Sequence, residues 1–247
     1  MATEFYKKTK DLEAIYFKEC SEYTRFVRGR SIAIVGPSSD MLDSNLGEEI
    51  DGHDLVVRLN TAIYNFDKIH KIAKDVGAKT DILYLGNHII RETKNKNNFY
   101  KNLLSKDIKF LVAASPSGNY NWQNLTEYLK NKTSSLSVKY SESSDTSFFI
   151  REYLSSSKVP FARVGFVSIV DLLLRGPKSI SIYGMTFYNK GGNIFRDDAI
   201  QDITPTSNHL GERIVRHDSN LELLFFKKIY NIYKNKIKKT NSVLKLL

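Results

Sequence analysis

Short apolar runs that alternate with helix-like segments constrain the fold of this chain more than any other feature. Each run is nearly continuous in Ile, Val and Leu, which is typical of strands buried on both faces. Strands are predicted in this way at 32–35, 54–59, 81–86, 108–114 and 179–184, and helices at 8–28 and 162–175. The alternation predicts a Rossmann-like α/β fold, a mostly parallel sheet with helices on both faces.

The length of 247 residues fits one α/β domain with a full hydrophobic core. We therefore predict a single domain over 1–247 in which composition distinguishes four parts. These are a first half at 29–130, a Ser- and Thr-rich mobile connection or small lid at 131–160, a second half at 161–224 and a basic amphipathic helix at 225–247.

The cysteine content and the N-terminus indicate a compartment. Cys20 is the only cysteine, which excludes an internal disulfide and suits a reducing environment. Residues 1–8 are polar, and neither a signal peptide nor a transmembrane anchor is visible. We expect a cytoplasmic protein, peripheral to the inner face of the membrane if the basic C-terminal helix binds lipid.

The net charge of +10 is concentrated at the C-terminus, where lysines alternate with apolar residues at helical spacing. Three interpretations are open for 225–247. The apolar stripe packs on the core of the protein, or the helix adheres to an anionic membrane, or the lysines bind nucleic acid. Nucleic acid is the least favoured, because the sequence contains no recognisable nucleic-acid-binding motif.

A Gly–Ser turn follows the first predicted strand, and an asparagine ends the second. Gly36, Ser38 and Ser39 form the turn, and Asn60 follows the second strand. In open α/β folds, nucleotides and phosphates bind at the carboxyl edge of the sheet, where backbone N–H groups and hydroxyls are available. The alternative is a tight turn without a ligand.

The residues around these positions match a known pattern in order and spacing. The pattern is L-G-x-E-I-D-x-H-D at 46–54, R-x-N-x-A at 58–62 and D-V-G-x-K-T at 75–80. With the Gly36 turn, it resembles the large sialylmotif of the animal-type sialyltransferases. The resemblance implies a variant GT-A type glycosyltransferase whose CMP-sugar donor is held by Gly36, Ser38, Ser39 and Asn60.

Two details of this motif affect its interpretation. Pro37 stands where the family has an asparagine, so one expected donor contact is missing. His53 and Asp54 belong to the motif but are expected to act structurally, by tying the preceding turn to the second strand.

A second motif begins at Gly165, where a helix is predicted to start. Glycine lets a ligand approach a helix N-terminus, whose partial positive charge favours phosphate, although a small residue between helix and strand is the alternative. The region resembles the small sialylmotif, with Val164 in place of the family's Ser or Thr. The resemblance implies that Gly165 and Phe166 face the donor phosphate. The G-M-T-F-Y-x-x-G run at 184–191 is similar to Campylobacter-type bacterial sialyltransferases, which implies that Tyr188 helps to hold the leaving phosphate.

The third motif is His217-x4-Glu222, which has the spacing of the very small sialylmotif. A sugar hydroxyl is deprotonated near neutral pH by a group that titrates there, and histidine is the usual one. The resemblance implies that His217 is the catalytic base and that Glu222 orients its imidazole or caps the helix. His209 lies where the family's donor-phosphate histidine is expected.

No metal or other cofactor is expected. The chain has no D-x-D sequence, which metal-dependent nucleotide-sugar transferases use to bind a cation with a diphosphate. The expected function is inverting transfer of sialic acid from CMP-sialic acid to a galactose-type hydroxyl of a glycan. Transfer of Kdo or another nonulosonic acid from a CMP donor is one alternative, and a non-catalytic nucleotide-binding, membrane-associated protein is the other.

Overall fold

The main sheet has six strands, and every neighbouring pair is parallel. The computed structural model describes residues 2–86, 107–114, 138–154, 162–186, 194, 206–207, 213–214, 219–238, 240–244 and 247. The strands are β1 (Ser31–Val35), β2 (Leu55–Leu59), β3 (Ile82–Leu85), β4 (Phe110–Ala113), β5 (Lys139–Glu142) and β6 (Ser179–Tyr183), in the spatial order β5-β4-β3-β2-β1-β6. A separate antiparallel pair consists of β7 (Thr206–Ser207) and β8 (Arg213–Ile214).

Helices connect and cover these strands. They are α1 (Ala2–Glu19), α2 (Glu22–Val27), α3 (Gly47–Asp51), α4 (Phe66–Lys71), α5 (Ala73–Val76), α6 (Ser144–Leu154), α7 (Val164–Leu174), α8 (Ser219–Tyr233) and α9 (Asn241–Leu244). Short 3-10 turns follow β1 at Ser39–Met41 and β2 at Asn60–Tyr64.

Side chains of each central strand enter two separate hydrophobic cores, one on each face of the sheet. In β1, Ile32 and Ile34 pack with α1, α2, α6, α7 and α8. Ala33 and Val35 point the other way, toward α3, α4 and α5. Strands covered on both faces need apolar residues at every position, which explains the continuous apolar runs in the sequence. The predicted doubly covered parallel sheet is confirmed.

The predicted helix at 8–28 consists of two helices. α1 ends at Glu19, and Cys20 has a left-handed φ of 43°. Ser21 then caps α2 by accepting a hydrogen bond from the Thr24 N–H at 3.1 Å. The break turns the chain from the face of the sheet toward its amino edge, where β1 begins.

The region expected to be a mobile connection, 131–160, contains regular structure that the sequence did not predict. Its described part forms β5, at the edge of the sheet, and α6. Two of the polar residues in this Ser- and Thr-rich stretch have internal partners. The Ser143 hydroxyl donates to the Ala113 carbonyl at 3.1 Å, and the buried Thr146 hydroxyl donates to Asp171 at 2.8 Å.

The C-terminal helix differs from the prediction in its bounds, and its environment matches the first of the three interpretations. α8 starts at Ser219 and ends at Tyr233, so Lys234, Lys236 and Lys238 are not helical. Its apolar side chains Phe225, Phe226 and Ile229 are buried in the core. The chain then runs beside β6, where the Ile180 N–H donates to the Lys236 carbonyl and the Lys238 N–H to the Ile180 carbonyl, both at 2.8 Å. The apolar stripe therefore packs on the protein.

Candidate active site

The strand order creates a crevice between β1 and β6. The chain leaves β1 toward β2 and continues outward to β5, whereas β6 lies on the other side of β1. At such a reversal the connections leave the two neighbouring strands in opposite directions, and ligands of open α/β folds bind beyond their carboxyl ends. The turns after β1, β2 and β6 all lie at this edge, as do the predicted residues Gly36, Ser38, Ser39 and Asn60.

The Gly36 turn is held by the turn after β6. The Gly36 N–H donates to the Tyr183 carbonyl at 2.8 Å, and the Ser38 N–H donates to the Gly184 carbonyl at 3.0 Å. A Cβ at Gly36 would clash with the Gly184 carbonyl oxygen. Glycine is thus required by the close crossing of two backbones, and these two N–H groups are used within the protein.

The serines of this turn have local structural roles. Ser38 is buried, and its hydroxyl accepts a hydrogen bond from the Asp40 N–H at 3.3 Å, which caps the 3-10 turn. Ser39 begins that turn and is half-buried. Of the three predicted donor contacts in this turn, Ser39 is the one whose side chain is most accessible.

Asn60 has a left-handed backbone with φ of 46°, which asparagine tolerates better than most residues. Its side-chain oxygen accepts a hydrogen bond from the Gly86 N–H at 2.8 Å, so it links the ends of β2 and β3. Within the described residues, its amide nitrogen has no acceptor. Asn60 is therefore oriented by the protein and offers a donor at the carboxyl edge.

The first turn of α7 faces the ends of β2 and β6. A Cβ at Gly165 would lie 2.5 Å from Met185 Cε and 3.3 Å from Leu59 Cδ1. The N–H groups of Val164 and Gly165 precede the first intrahelical bond and have no acceptor in the part of the chain that the structure describes. They form a small donor site at the positive end of the helix.

Phe166 does not present its side chain to this site. It is 1% exposed and packs edge-on against Phe225, with ring centroids 5.2 Å apart. Its predicted contact with a donor would have to come from the backbone.

Glu222 lies in the first turn of α8 and is 1% exposed. One carboxylate oxygen accepts a hydrogen bond from the Arg163 N–H at 2.8 Å, and the other accepts one from the Arg163 guanidinium at 3.1 Å. Arg163 is the N-cap of α7. This contact brings the start of α8 to the start of α7.

Tyr188, His209 and His217 lie outside the described residues. The sequence places His217 two positions before the start of α8. Among the described residues, no three His, Cys, Asp or Glu side chains form a cluster suited to a metal ion. No described helix is long and apolar enough to cross a membrane.

Arg58 is a buried arginine that holds the first motif together, a role that the sequence analysis did not predict. It is 1% exposed, and it donates to the Thr80 hydroxyl and to three backbone carbonyls within 76–79, at 2.8 to 3.1 Å. Burial lowers the pKa of Arg58 to about 10, although the nearby Asp51 carboxylate opposes the shift. The R-x-N and D-V-G-x-K-T segments of the motif therefore interlock as scaffold.

His53 and Asp54 have structural partners, which lie on β6 and β1. His53 Nε2 lies 2.9 Å from the Ser181 hydroxyl, which connects the end of α3 to β6. Asp54 accepts hydrogen bonds from the Ser31 N–H at 2.8 Å and the Ser31 hydroxyl at 2.7 Å. These two bonds hold the pKa of Asp54 below its usual value.

A buried charged network lies along α7, behind the candidate site. Arg175 donates to both oxygens of Asp171 at 3.0 Å, and Tyr84 donates to Asp171 at 2.6 Å. The rings of Tyr16 and Tyr23 lie 4.4 and 4.5 Å from the guanidinium carbon of Arg175. Burial and the Asp171 charge raise the pKa of Tyr84 well above its usual value. The network joins α1, α2, β3 and α7.

The parallel sheet, its crevice at the β1–β6 reversal and the donor groups around it define a Rossmann-like, GT-A type glycosyltransferase fold. The model of glycosyltransferase family 29 (sialyltransferase) matches residues 4–167. That match covers well over half of the chain, so the chain belongs to glycosyltransferase family 29.

Individual curated relatives match part of the chain. The chain is 39% identical over 103 residues to the human beta-galactoside alpha-2,6-sialyltransferase 2, a match that covers 40% of this chain and 18% of the human protein. It is 36% identical over 70 residues to a beta-1,6-galactosyltransferase of Arabidopsis thaliana, covering 28% of this chain and 16% of that protein. The matches thus span less than a fifth of the length of these relatives.

The fold extends further than the sequence similarity. The alpha-2,3-sialyltransferase Cst-I of Campylobacter jejuni superimposes with a TM-score of 0.53 at 16% identity, over 85% of this chain and 74% of that one. Most of the chain therefore shares the fold of that enzyme.

Proposed function

We propose that this chain transfers sialic acid from CMP-sialic acid to a sugar hydroxyl of a glycan, with inversion at the anomeric carbon and without a metal. The observation that carries the proposal is the convergence of three motif elements at one edge of the sheet. Asn60 follows β2, Gly165 begins α7 beside Met185 and Leu59, and Glu222 ties the start of α8 to the start of α7.

The donor nucleotide would lie along the carboxyl ends of β1 and β2. The Asn60 amide nitrogen would donate to the cytidine or ribose, because its side-chain oxygen is already used by Gly86. The single phosphate of CMP would accept hydrogen bonds from the N–H groups of Val164 and Gly165, at the positive end of α7. The Ser39 hydroxyl would add a contact from the β1 turn.

The general base would be His217. The Glu222 contact supports this assignment, because it brings the start of α8, which follows His217 by two residues, next to the proposed phosphate site. The imidazole would take the proton of the acceptor hydroxyl as its oxygen bonds to the anomeric carbon. The bond to the CMP oxygen breaks in the same displacement, and its electron pair leaves with CMP.

The charge that develops on the departing CMP would be met by hydrogen-bond donors rather than by a cation. Tyr188 and His209 are the proposed side-chain donors, in addition to the helix N-terminus. One phosphate carries less charge than the diphosphate of other sugar donors, so the D-x-D pair that the sequence lacks is not needed.

Because one of the relatives is a galactosyltransferase, the sugar that this chain transfers must be identified by experiment. Transfer of galactose, or of Kdo or another nonulosonic acid, would use the same scaffold with a different donor. Contact with an anionic membrane is also proposed, through lysines alone, because the apolar stripe of α8 is buried.

CMP release from CMP-sialic acid, with lactose as acceptor and EDTA present, tests the function. We expect acceptor-dependent release that falls ~10²-fold or more in His217→Ala, the scale of lost general-base catalysis. The matched control is His70→Ala, which removes an exposed histidine of α4. Release that needs added metal, or that is unchanged in His217→Ala, would refute the mechanism. Turnover of UDP-galactose or CMP-Kdo in its place would assign a different donor.

A further inference from the structure

The side chain of Met185 lies between the two glycines that border the candidate site. Met185 follows β6 and is half-buried. Its Cγ would lie 2.5 Å from a Cβ at Gly36, and its Cε would lie 2.5 Å from a Cβ at Gly165. Neither distance can accommodate a real Cβ, so this side chain occupies the space that a larger residue at either position would need.

The two glycines differ in what else surrounds them. At Gly36 a Cβ would also clash with the Gly184 carbonyl, which is backbone held by its hydrogen bond from the Ser38 N–H. At Gly165 the closest contact is the flexible end of Met185, and Leu59 Cδ1, at 3.3 Å, is a side-chain atom that would need only a small shift. An alanine at Gly165 would therefore displace Met185, whereas an alanine at Gly36 would displace backbone.

We propose that Met185 is a positioning residue that sets the separation between the β1 turn and the first turn of α7. The inference rests on the proposed function in one respect, namely that a nucleotide binds between these turns. A methionine side chain has several accessible rotamers, so displacement by a Cβ at Gly165 moves its end rather than unfolding the protein. The moved thioether then obstructs the N–H groups of Val164 and Gly165.

A double-mutant cycle tests this coupling, with CMP binding measured by calorimetry on wild type, Gly165→Ala, Met185→Ala and the double variant. We expect Gly165→Ala to weaken CMP binding about fivefold or more, equivalent to ~1 kcal/mol, and to lower Tm by only about 2–4 °C, because the overpacked end of Met185 can move. The double variant should bind CMP within about threefold of Met185→Ala alone, because the obstructing side chain is gone. A double variant that binds as weakly as the two single losses combined would overturn the proposal.

Gly36→Ala, alone and with Met185→Ala, is the matched control. We expect a lowered Tm that Met185→Ala does not restore, because the Gly184 carbonyl remains. Equal rescue at both glycines would also overturn the proposal, since it would reflect general loosening of the site.

The same variants separate this inference from the proposed function. If wild type does not bind CMP, the proposed function fails, and thermal unfolding of the Gly165–Met185 cycle decides the coupling. Non-additive Tm changes would then support the contact between the two residues, and strictly additive changes would refute it.

Discussion

Replacement of Asp171 by asparagine should destabilise the protein strongly, although the two side chains have the same shape. Asp171 is fully buried and accepts hydrogen bonds from Arg175, Tyr84 and Thr146. Burial disfavours the charge on Arg175, but attraction to Asp171 outweighs it and raises the pKa of Arg175 above its usual value. Asparagine removes the compensating charge and turns an NH₂ group toward neighbours that are themselves donors.

The magnitude follows from the cost of leaving one partner of a buried ion pair alone, about 3–5 kcal/mol. For a chain of this size, each kcal/mol lowers Tm by roughly 2–4 °C, so a loss of about 6–20 °C is expected. Urea unfolding followed by circular dichroism gives the free energy directly. Asp145→Asn, on the exposed face of α6, is the control and should change stability by less than about 0.5 kcal/mol.

A paired replacement distinguishes the charge from the shape of the site. Asp171→Leu combined with Arg175→Met removes both charges and should be less destabilising than Asp171→Asn alone. An Asp171→Asn variant within about 1 kcal/mol of wild type would refute the reasoning, because the buried guanidinium would then not depend on that carboxylate.

Three further outcomes are expected. Asp54→Asn should lower Tm at neutral pH. The pKa of Asp54 is lower in the folded than in the unfolded protein, so the ionised carboxylate stabilises the fold above the usual Asp pKa of about 3.9. This stabilisation is lost as the pH falls through the folded-state pKa of Asp54. A Tm difference that does not shrink as the pH falls below the usual Asp pKa would contradict that origin. Glu222→Ala should cost about 1–3 kcal/mol, because it removes the carboxylate that accepts hydrogen bonds from the Arg163 N–H and guanidinium. Urea unfolding should show Glu222→Gln, which keeps an acceptor for the Arg163 N–H, to be milder. Co-sedimentation with anionic vesicles should be suppressed by 0.5 M salt, because the Debye length falls from about 8 Å at 0.15 M to roughly 4 Å and screens contacts made by lysines alone. Salt-resistant binding would point to apolar insertion instead.

The central strands could be predicted from the sequence because burial on both faces leaves a local pattern. Every residue of β2 and β3 is buried, including Arg58, so the apolar runs stand out against the rest of the chain. β5 leaves no such pattern, since an edge strand exposes Lys139 and tolerates Glu142. The C-terminal end of α8 was not predicted, because the lysines after Tyr233 continue the helical spacing. In the structure, the backbones of Lys236 and Lys238 pair with β6 instead.

The candidate site could be predicted from the sequence only in part, for a different reason. Motif spacing located Gly36, Asn60 and Gly165 at one edge, but it does not say what each residue touches. The need for glycine at position 36 comes from Gly184, a residue far along the chain. Likewise, Arg58 and Glu222 have scaffold partners that only the folded chain reveals.

The two borders of the sheet resist unwanted strand pairing by different means. β5 carries charged and polar side chains, which discourage an incoming strand. β6 is buried, and the outer N–H and carbonyl of Ile180 in this strand are paired with Lys236 and Lys238 instead: the N–H donates to the Lys236 carbonyl, and the carbonyl accepts from the Lys238 N–H. Removal of the lysine-rich C-terminal end should therefore lower solubility, because it would expose the edge of β6 to pairing with another chain. A chain cut after Tyr233 should elute from a sizing column as aggregates, and a clean monomer would show that β6 needs no such cover.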